Sequence, residues 1–347
     1  MLGRVRKVGR SAQQRRRCLP ALGSWRWMTT ALYEPPAYAK ELPEGIPVGF
    51  QKLKVVSVKD ESRNGESRII RLQLPESMEG KDLSSLGAAS GVKVRQLVDG
   101  VLHDKSYSPI SLPSLEGHID LLVKSYPPID GKTGLGAFLC GRQPGDEVEV
   151  KFKPPRLFAG EMYRPNRWKR LGLIGCGTGI APLYQLANTI MSNPEEKTEI
   201  DFISCHRSEL DMLMGYELGQ MQGKFPLRFA HINLYSQPLT DIRMYIGDTI
   251  GHGSLHSPAK ISALYCRPPW FPPSSVVEDE NETAGDSSEG RENVHVVVCG
   301  TDGFLEHVCG DKAKVPVDGS AAARKVQGEV QGLLKEVGFV KEQVTKL

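Results

Sequence analysis

No apolar run in this 347-residue chain approaches the ~18 residues that a membrane-spanning helix needs. The nearest candidate, Leu19–Leu32, is too short and is interrupted by Arg26. A membrane-spanning helix is therefore not expected. Cys-x-x-Cys pairs are also missing: Cys18, Cys140, Cys176, Cys205, Cys266, Cys299 and Cys309 are scattered. That spacing excludes a zinc site, a c-type haem attachment site and a disulfide framework, so no metal is expected. Aromatics make up only 7% of the chain, and the formal net charge is only +3. Beyond the basic first 33 residues the body is aromatic-poor and acidic, which argues against a nucleic-acid binder.

One further absence is local. Residues 1–33 contain no Asp or Glu, yet hold Arg4, Arg6, Lys7, Arg10, Arg15, Arg16, Arg17 and Arg26. A basic, acid-free leader of this kind reads as a mitochondrial transit peptide, with an RNA-binding arm or a plain tail as the alternatives. Residues 34–47, rich in proline and acid, read as a linker or an extended arm.

The chain beyond is long enough for two cores. Strand-like runs are expected at Gln51–Val58, Arg68–Leu74, Val92–Leu97, Ser106–Ile110, Ile119–Tyr126 and Glu147–Phe152, with turn signals at Asn64-Gly65, Asp99-Gly100 and Pro144-Gly145. With a short helix at Gly134–Cys140 they suggest an antiparallel barrel over 48–160. From 168 to 347 the pattern alternates instead. Strands are expected at Leu171–Gly175, Glu199–Cys205, Leu227–Leu234 and Val294–Cys299, with helices at Ile180–Met191 and Leu210–Gln222. That alternation implies a doubly wound parallel sheet, so the fold class is β followed by α/β. Residues 252–293 read as an insertion, with a short helix at Pro258–Tyr265 and a disordered, acid-rich loop over Pro272–Arg291.

Three motifs carry chemistry. Gly175-Cys176-Gly177-Thr178-Gly179-Ile180-Ala181-Pro182 follows a buried strand and opens a helix. Glycines on such a turn let backbone N–H groups approach a diphosphate, and the helix N-terminus adds about half a positive charge. The standard Gly-x-Gly-x-x-Gly spacing is absent, so alone the run also fits a glycine-rich structural turn. Upstream lies Lys105-Ser106-Tyr107-Ser108-Pro109-Ile110-Ser111; downstream, Val294–Val298 leads into Cys299-Gly300-Thr301-Asp302-Gly303-Phe304.

Tyr-Ser-Pro-x-Ser, Gly-x-Gly-Thr-Gly-Ile-x-Pro and Cys-Gly after a buried strand, in this order, resemble the ferredoxin–NADP reductase superfamily, and within it the cytochrome b5 reductases. The resemblance implies a flavin-binding barrel followed by a nicotinamide-binding domain, with FAD and NADH or NADPH as cofactors. It implies that Tyr107 packs on the flavin ring, that Ser108 lies near flavin N5 and that Ser111 supports the same loop. Tyr126 would line the adenine or ribityl side, and Lys124 would lie toward the nicotinamide cofactor. Gly175, Gly177, Thr178 and Gly179 would cradle the nicotinamide dinucleotide, with Pro182 in the first turn of the helix, where a missing N–H costs little. Cys299 and Gly300 would stand beside the hydride path, with Cys299 acting by position rather than covalently; a buried structural thiol is the alternative.

The chain departs from that family at two flavin contacts. The family arginine two residues before the tyrosine is Lys105, which keeps the charge but loses the planar fork. A family serine at the short helix is Gly136, leaving backbone N–H groups near Gly134 and Gly136 as donors. After the third strand of the second domain, NADH-using members carry Asp and NADPH-using members Ser-Arg. The matching positions here are Ser236-Gln237, with Arg243 nearby, which leaves both cofactors open. The C-terminal region is similar to mitochondrial flavoprotein reductases that support haem attachment to cytochrome c. The implied activity is hydride transfer from NAD(P)H to FAD, then single electrons to a haem protein or haem. A flavin-free binding module on the same fold is the alternative that Lys105 and Gly136 raise.

Overall fold

The computed structural model describes residues 38–78, 90–111, 117–158, 160–239, 293–316 and 323–347. The basic leader, the acidic insertion with its short helix, and Arg243 lie outside them.

The first half is an antiparallel sheet of six strands: β1 (Gln51–Asp60), β2 (Ser67–Gln73), β3 (Val92–Val98), β4 (Val101–Tyr107), β5 (His118–Lys124) and β6 (Glu147–Phe152). Their order is β4-β3-β6-β1-β2-β5. The chain leaving β4 then bridges β5 through Pro109 and Leu121, and Ile110 N donates to Asp120 O at 2.8 Å. That contact joins the two ends of the sheet into a barrel. Alternate residues fill the interior: Leu53, Val55, Ile70, Leu72, Val92, Val94, Val148, Val150 and Phe152 are all buried. The helix α1 (Leu135–Cys140) plugs one end with Leu135 and Leu139.

Strand β4 starts earlier than expected, at Val101 rather than Ser106. Asp99 and Gly100 take φ of 49° and 75° between paired Val98 and Val101, which makes a two-residue hairpin rather than a loose turn. β4 buries none of its residues fully, so no alternation marks it in the sequence.

A small hairpin of β7 (Leu157–Phe158) and β8 (Glu161–Met162) leads into the second half. There β9 (Arg170–Cys176), α2 (Ile180–Ser192), β10 (Glu199–His206), α3 (Gly215–Lys224), β11 (Phe229–Tyr235) and β12 (Val294–Cys299) follow one another. After them come α4 (Asp302–Cys309), the hairpin β13 (Ala313–Pro316) and β14 (Ala323–Val326), α5 (Gly332–Glu336) and β15 (Val344–Lys346). The parallel sheet runs β11-β10-β9-β12-β15. Helices α2 and α3 pack one face through Leu183, Leu186, Ile190 and Leu218. Helices α4 and α5 pack the other through Leu305, Val308, Leu333 and Leu334. The strand order reverses at β9, so the crevice beyond the ends of β9 and β12 is where such a sheet accepts a ligand.

Two boundaries differ from expectation. The helix expected from Leu210 begins at Gly215, because Met214 sits at φ 55° and its N–H is taken by the Glu61 carboxylate at 2.6 Å. The third strand begins at Phe229 rather than Leu227, whose side chain is solvent-exposed. The fifth strand, β15, was not expected at all; it pairs Val344 with Val296 and Thr345 with Val297 along β12.

Candidate active site

A cavity of about 510 Å³ opens along the line where the barrel meets the C-terminal ends of β9, β10 and β12. Twelve of the sequence candidates line it: Lys105, Tyr107, Ser108, Lys124, Tyr126 and Gly136 from the barrel, and Gly177, Thr178, Gly179, Pro182, Cys299 and Gly300 from the sheet. The three motifs are thus brought to one place.

The turn after β9 is shaped by what it lacks. Gly177 sits at φ +53°, in the left-handed region that costs an L-residue about 1–2 kcal/mol. A Cβ on Gly179 would stand 2.5 Å from the Cys299 carbonyl oxygen, so only glycine lets this turn lie against the end of β12. That close approach couples the turn to Cys299. The Cys299 thiol is pushed up to about 11 by burial, despite Arg156 and Lys312 nearby. It therefore stays protonated at neutral pH, which suits a compact neighbour and not a nucleophile.

On the barrel wall, Tyr107 packs its ring against the interior cluster, and burial pushes its phenol well up, so it remains neutral. Lys124, expected toward the nicotinamide cofactor, lines the cavity with its Nζ paired to Glu66 at 3.2 Å and to Asp211 at 3.5 Å.

Four candidates stand outside the lining. Gly175 serves packing, since a Cβ there would meet Ile180 Cγ2 and Leu183 Cδ1 at 2.9 Å and lift α2 off β9. Ser111 braces the loop after β4, its Oγ accepting Asp120 N at 3.1 Å. Gly134 caps α1 from beyond the cavity and makes no close approach. Ser236 extends the sheet edge, donating its N–H to His206 O at 3.0 Å, and takes no part in the cavity wall. The departure at Gly136 also has a reason: a Cβ would stand 2.3 Å from the Lys124 carbonyl oxygen, so α1 can lie on β5 only with glycine there.

Sequence reasoning missed Tyr38, Lys153, Arg156, His206, Arg207 and Asp211, all in the cavity wall. Asp211 is the informative one. It follows β10, and its carboxylate accepts Ser208 Oγ at 2.6 Å, Arg207 Nη2 at 2.8 Å and Asn64 Nδ2 at 3.0 Å. Burial alone would raise it, but Ser208, Arg207 and Lys124 outweigh that and hold it below the usual carboxylate range. The Arg-Ser-x-x-Asp spacing just past a parallel strand was the available signal. Burial pulls His206 beside it down to about 4, so that ring is neutral.

Among the described lining residues, five cationic side chains (Lys105, Lys124, Lys153, Arg156, Arg207) face one acidic side chain, Asp211. That surplus suits ligands carrying diphosphates. The glycine turn at the head of α2 adds backbone donors. The residues present therefore fit two dinucleotides, one on the barrel wall and one on the sheet wall.

The fold and site define a two-part flavin- and nicotinamide-binding oxidoreductase. Two family models match: an oxidoreductase FAD-binding domain over residues 52–155 and an oxidoreductase NAD-binding domain over 173–310. NADH-cytochrome b5 reductase 2 of Yarrowia lipolytica is 31% identical over 295 residues, spanning 85% of this chain and 84% of that protein. NADH-cytochrome b5 reductase 1 of Lodderomyces elongisporus is 36% identical over 195 residues, 56% of this chain and 61% of the relative's length. The cytochrome b5 reductase domain of Ulva prolifera nitrate reductase shares the fold, with a TM-score of 0.59 at 19% identity over 87% of this chain and 99% of that one. This chain belongs to the cytochrome b5 reductase family, and its cofactors are FAD and NAD. Neither the flavin-free module nor the nucleic-acid reading finds support in these matches.

Proposed function

We propose that the chain takes a hydride from NADH, in preference to NADPH, and passes electrons singly to a haem protein in mitochondria. The observation that carries the reading is the single cavity in which Tyr107 and Ser108 face Gly177–Gly179 and Cys299. When bound, the flavin supplies both hydride acceptance and one-electron release. The chain supplies position. Tyr107 gives a flat apolar contact, and Ser108 offers a hydroxyl able to donate or accept. Cys299 is protonated and compact, and its backbone carbonyl lies against the Gly179 turn, which sets the end of β12 beside the glycine loop.

The NADH preference rests on Asp211. Its carboxylate already engages Arg207 through Nε at 3.1 Å and Nη2 at 2.8 Å, so the nearest guanidinium is neutralised. A ribose 2′-phosphate would find that guanidinium already engaged, whereas a 2′-hydroxyl can donate to the Asp211 carboxylate. The haem-protein acceptor is supported by the relatives' names, and the mitochondrial placement by the acid-free basic leader and the C-terminal resemblance.

The test is anaerobic stopped-flow reduction of the bound flavin by NADH and by NADPH, in wild type and Asp211→Ser. We expect wild type to favour NADH and the variant to gain about tenfold with NADPH as Arg207 is released. A wild type that reduces equally with both, or a variant whose ratio is unchanged, would remove Asp211 from this role.

A further inference from the structure

The connection between β1 and β2 belongs to the barrel, yet it ends against the sheet. A hairpin can close with about two residues, whereas residues 61–66 reach further. They turn at Asn64 and at Gly65, whose φ is 71°. The Asn64 side-chain oxygen closes the turn by accepting Ser62 Oγ at 2.6 Å and Glu66 N at 3.0 Å. Three hydrogen bonds then cross to the segment after β10. Asn64 N donates to Leu210 O at 3.2 Å, Asn64 Nδ2 donates to Asp211 Oδ1 at 3.0 Å, and Met214 N donates to Glu61 Oε1 at 2.6 Å. Ion pairs run beside them, from Glu66 to Lys124 at 3.2 Å and to Arg207 at 3.7 Å. The turn is anchored to its own barrel as well, since Ser125 N donates to Glu66 O at 2.7 Å.

The partners of Asp211 divide its two oxygens. Oδ2 accepts Ser208 Oγ at 2.6 Å and Arg207 Nε at 3.1 Å, both from its own loop. Oδ1 accepts Arg207 Nη2 at 2.8 Å and, from the barrel, Asn64 Nδ2. The Asp211 side chain is 5% exposed, so water is a poor substitute for a lost donor. Asn64 is a neutral donor, and it fixes the carboxylate without adding a cation. Arg207 and Asp211 line the cavity, and the turn that holds them does not.

We infer that Asn64 is a positioning residue of the nicotinamide-nucleotide site: acting through Asp211, it holds the Asp211–Arg207 pair from the barrel side, while Glu61 pins the same loop at Met214. This rests on the reading of Asp211 given above. The half of the chain that binds the flavin thereby also sets how the sheet wall meets the nicotinamide nucleotide.

Asn64→Asp isolates the crossing bond. Both bonds inside the turn use the side-chain oxygen, which the variant keeps, and only the donor to Asp211 is lost. Two carboxyls at hydrogen-bond distance share a proton as the pH falls, and the protonated one donates again. We expect the dissociation constant for NAD⁺ on flavin-loaded protein, read by calorimetry, to rise about tenfold in the variant at about pH 8 and to return toward wild type at about pH 5.5. In the wild type Asp211 is held below the usual carboxylate range and His206 lies at about 4, so neither changes form over that span. Glu61, raised by burial, is common to both proteins, as are Glu66, Lys124 and Arg207, so they cancel in the comparison. The FAD constant on deflavinated protein should stay where it is, and hydrogen exchange at the Met214 amide should speed up in the variant at the higher pH. The exchange variant Asn64→Asp/Asp211→Asn reverses donor and acceptor and keeps the net charge, so it should protect that amide better than either single change.

NAD⁺ binding as in wild type at the higher pH, a loss that acid does not reverse, or an equal loss for FAD would overturn the assignment. So would an exchange variant no better protected than the single ones. The two readings separate. If Asp211→Ser leaves the NADH-to-NADPH ratio unchanged while Asn64→Asp loses NAD⁺ and regains it in acid, the cofactor preference falls and the positioning role stands. If Asp211→Ser shifts the ratio while Asn64→Asp binds NAD⁺ as wild type does, the preference stands and the positioning role falls.

Discussion

The two walls of the cavity are made of different materials. The barrel wall works with side chains: Lys105, Tyr107, Ser108, Lys153 and Arg156 reach inward from strands and from the chain after β6. The sheet wall works largely by leaving side chains out, at Gly177, Gly179 and Gly300, and by presenting backbone at the end of β12. The difference follows from the elements. Antiparallel strands project alternate residues inward along their length, whereas a parallel sheet offers a ligand only its C-terminal edge and the first turn of a helix. Substitution should therefore act by lost charge or contact on the barrel wall, and by steric intrusion on the sheet wall.

The harshest test is Gly179→Val. Its Cβ would stand 2.5 Å from Cys299 O, 2.8 Å from Cys299 C and 2.9 Å from Gly300 Cα, all backbone atoms that no rotamer change relieves. We expect a loss of about 3 kcal/mol, at the upper end of overpacking costs, with NADH binding abolished and FAD still bound. Thermal melting together with flavin content and anaerobic NADH reduction reads all three. Reduction at the wild-type rate would show that the turn has room, and that the sheet wall does not work by exclusion.

Acid distinguishes the halves next. The sheet half holds His206 and His295 buried, and His231 mostly so, with burial as the leading cause that takes them to about 4, about 3 and about 4. His295 stacks on Trp168 at 5.0 Å and meets Thr345 Oγ1 at 2.8 Å, tying the chain before β9 to β15. The folded values lie below the unfolded one near 6.5, so between them the unfolded chain binds more protons. Stability is thus complete above about pH 6.5 and falls as the pH drops toward 4, by about 1.4 kcal/mol per histidine per pH unit. Hydrogen exchange at pH 7 and pH 5 should show protection falling first in β9–β12, before the barrel strands. Barrel strands opening first would mean that these histidines do not govern acid unfolding.

How much of this was legible in the sequence follows the same division. The glycine turn, Cys299-Gly300 and Tyr107-Ser108 were found because each is a local run in a strand context. Strand β4 was cut short because a strand with no fully buried residue leaves no alternation to read. The start of α3 was misplaced because its limit is tertiary: Glu61, from the β1–β2 connection, takes the Met214 N–H. β15 was missed although Val344, Thr345 and Lys346 are all buried, since Lys346 is buried at 2% only by giving its Nζ to the carbonyls of Asp311 and Glu329. Tyr38 and Arg156 were invisible because they meet from segments far apart in the chain, whereas Asp211 was passed over although its local Arg-Ser-x-x-Asp spacing marked it. An acidic side chain was sought after the third strand of the sheet, at Ser236-Gln237; the one in the cavity wall, Asp211, stands after the second.

The smallest expected effect is also the most selective. If the barrel wall holds its ligand by charge, the geometry of that charge should matter in a graded way. Lys105 is a single ammonium on a flexible stem, while an arginine presents a planar fork that can meet two oxygens of a diphosphate at once. Lys105→Arg adds no charge and needs no space in the barrel interior, since the side chain at 105 is exposed. We expect FAD to bind about fivefold more tightly, read as the dissociation constant on deflavinated protein, with the NAD⁺ constant unmoved. The improvement should shrink as salt rises, as an interaction between exposed charges does. A gain for NAD⁺ instead would put Lys105 on the nicotinamide nucleotide. No gain for either would mean that Lys105 does not reach a diphosphate.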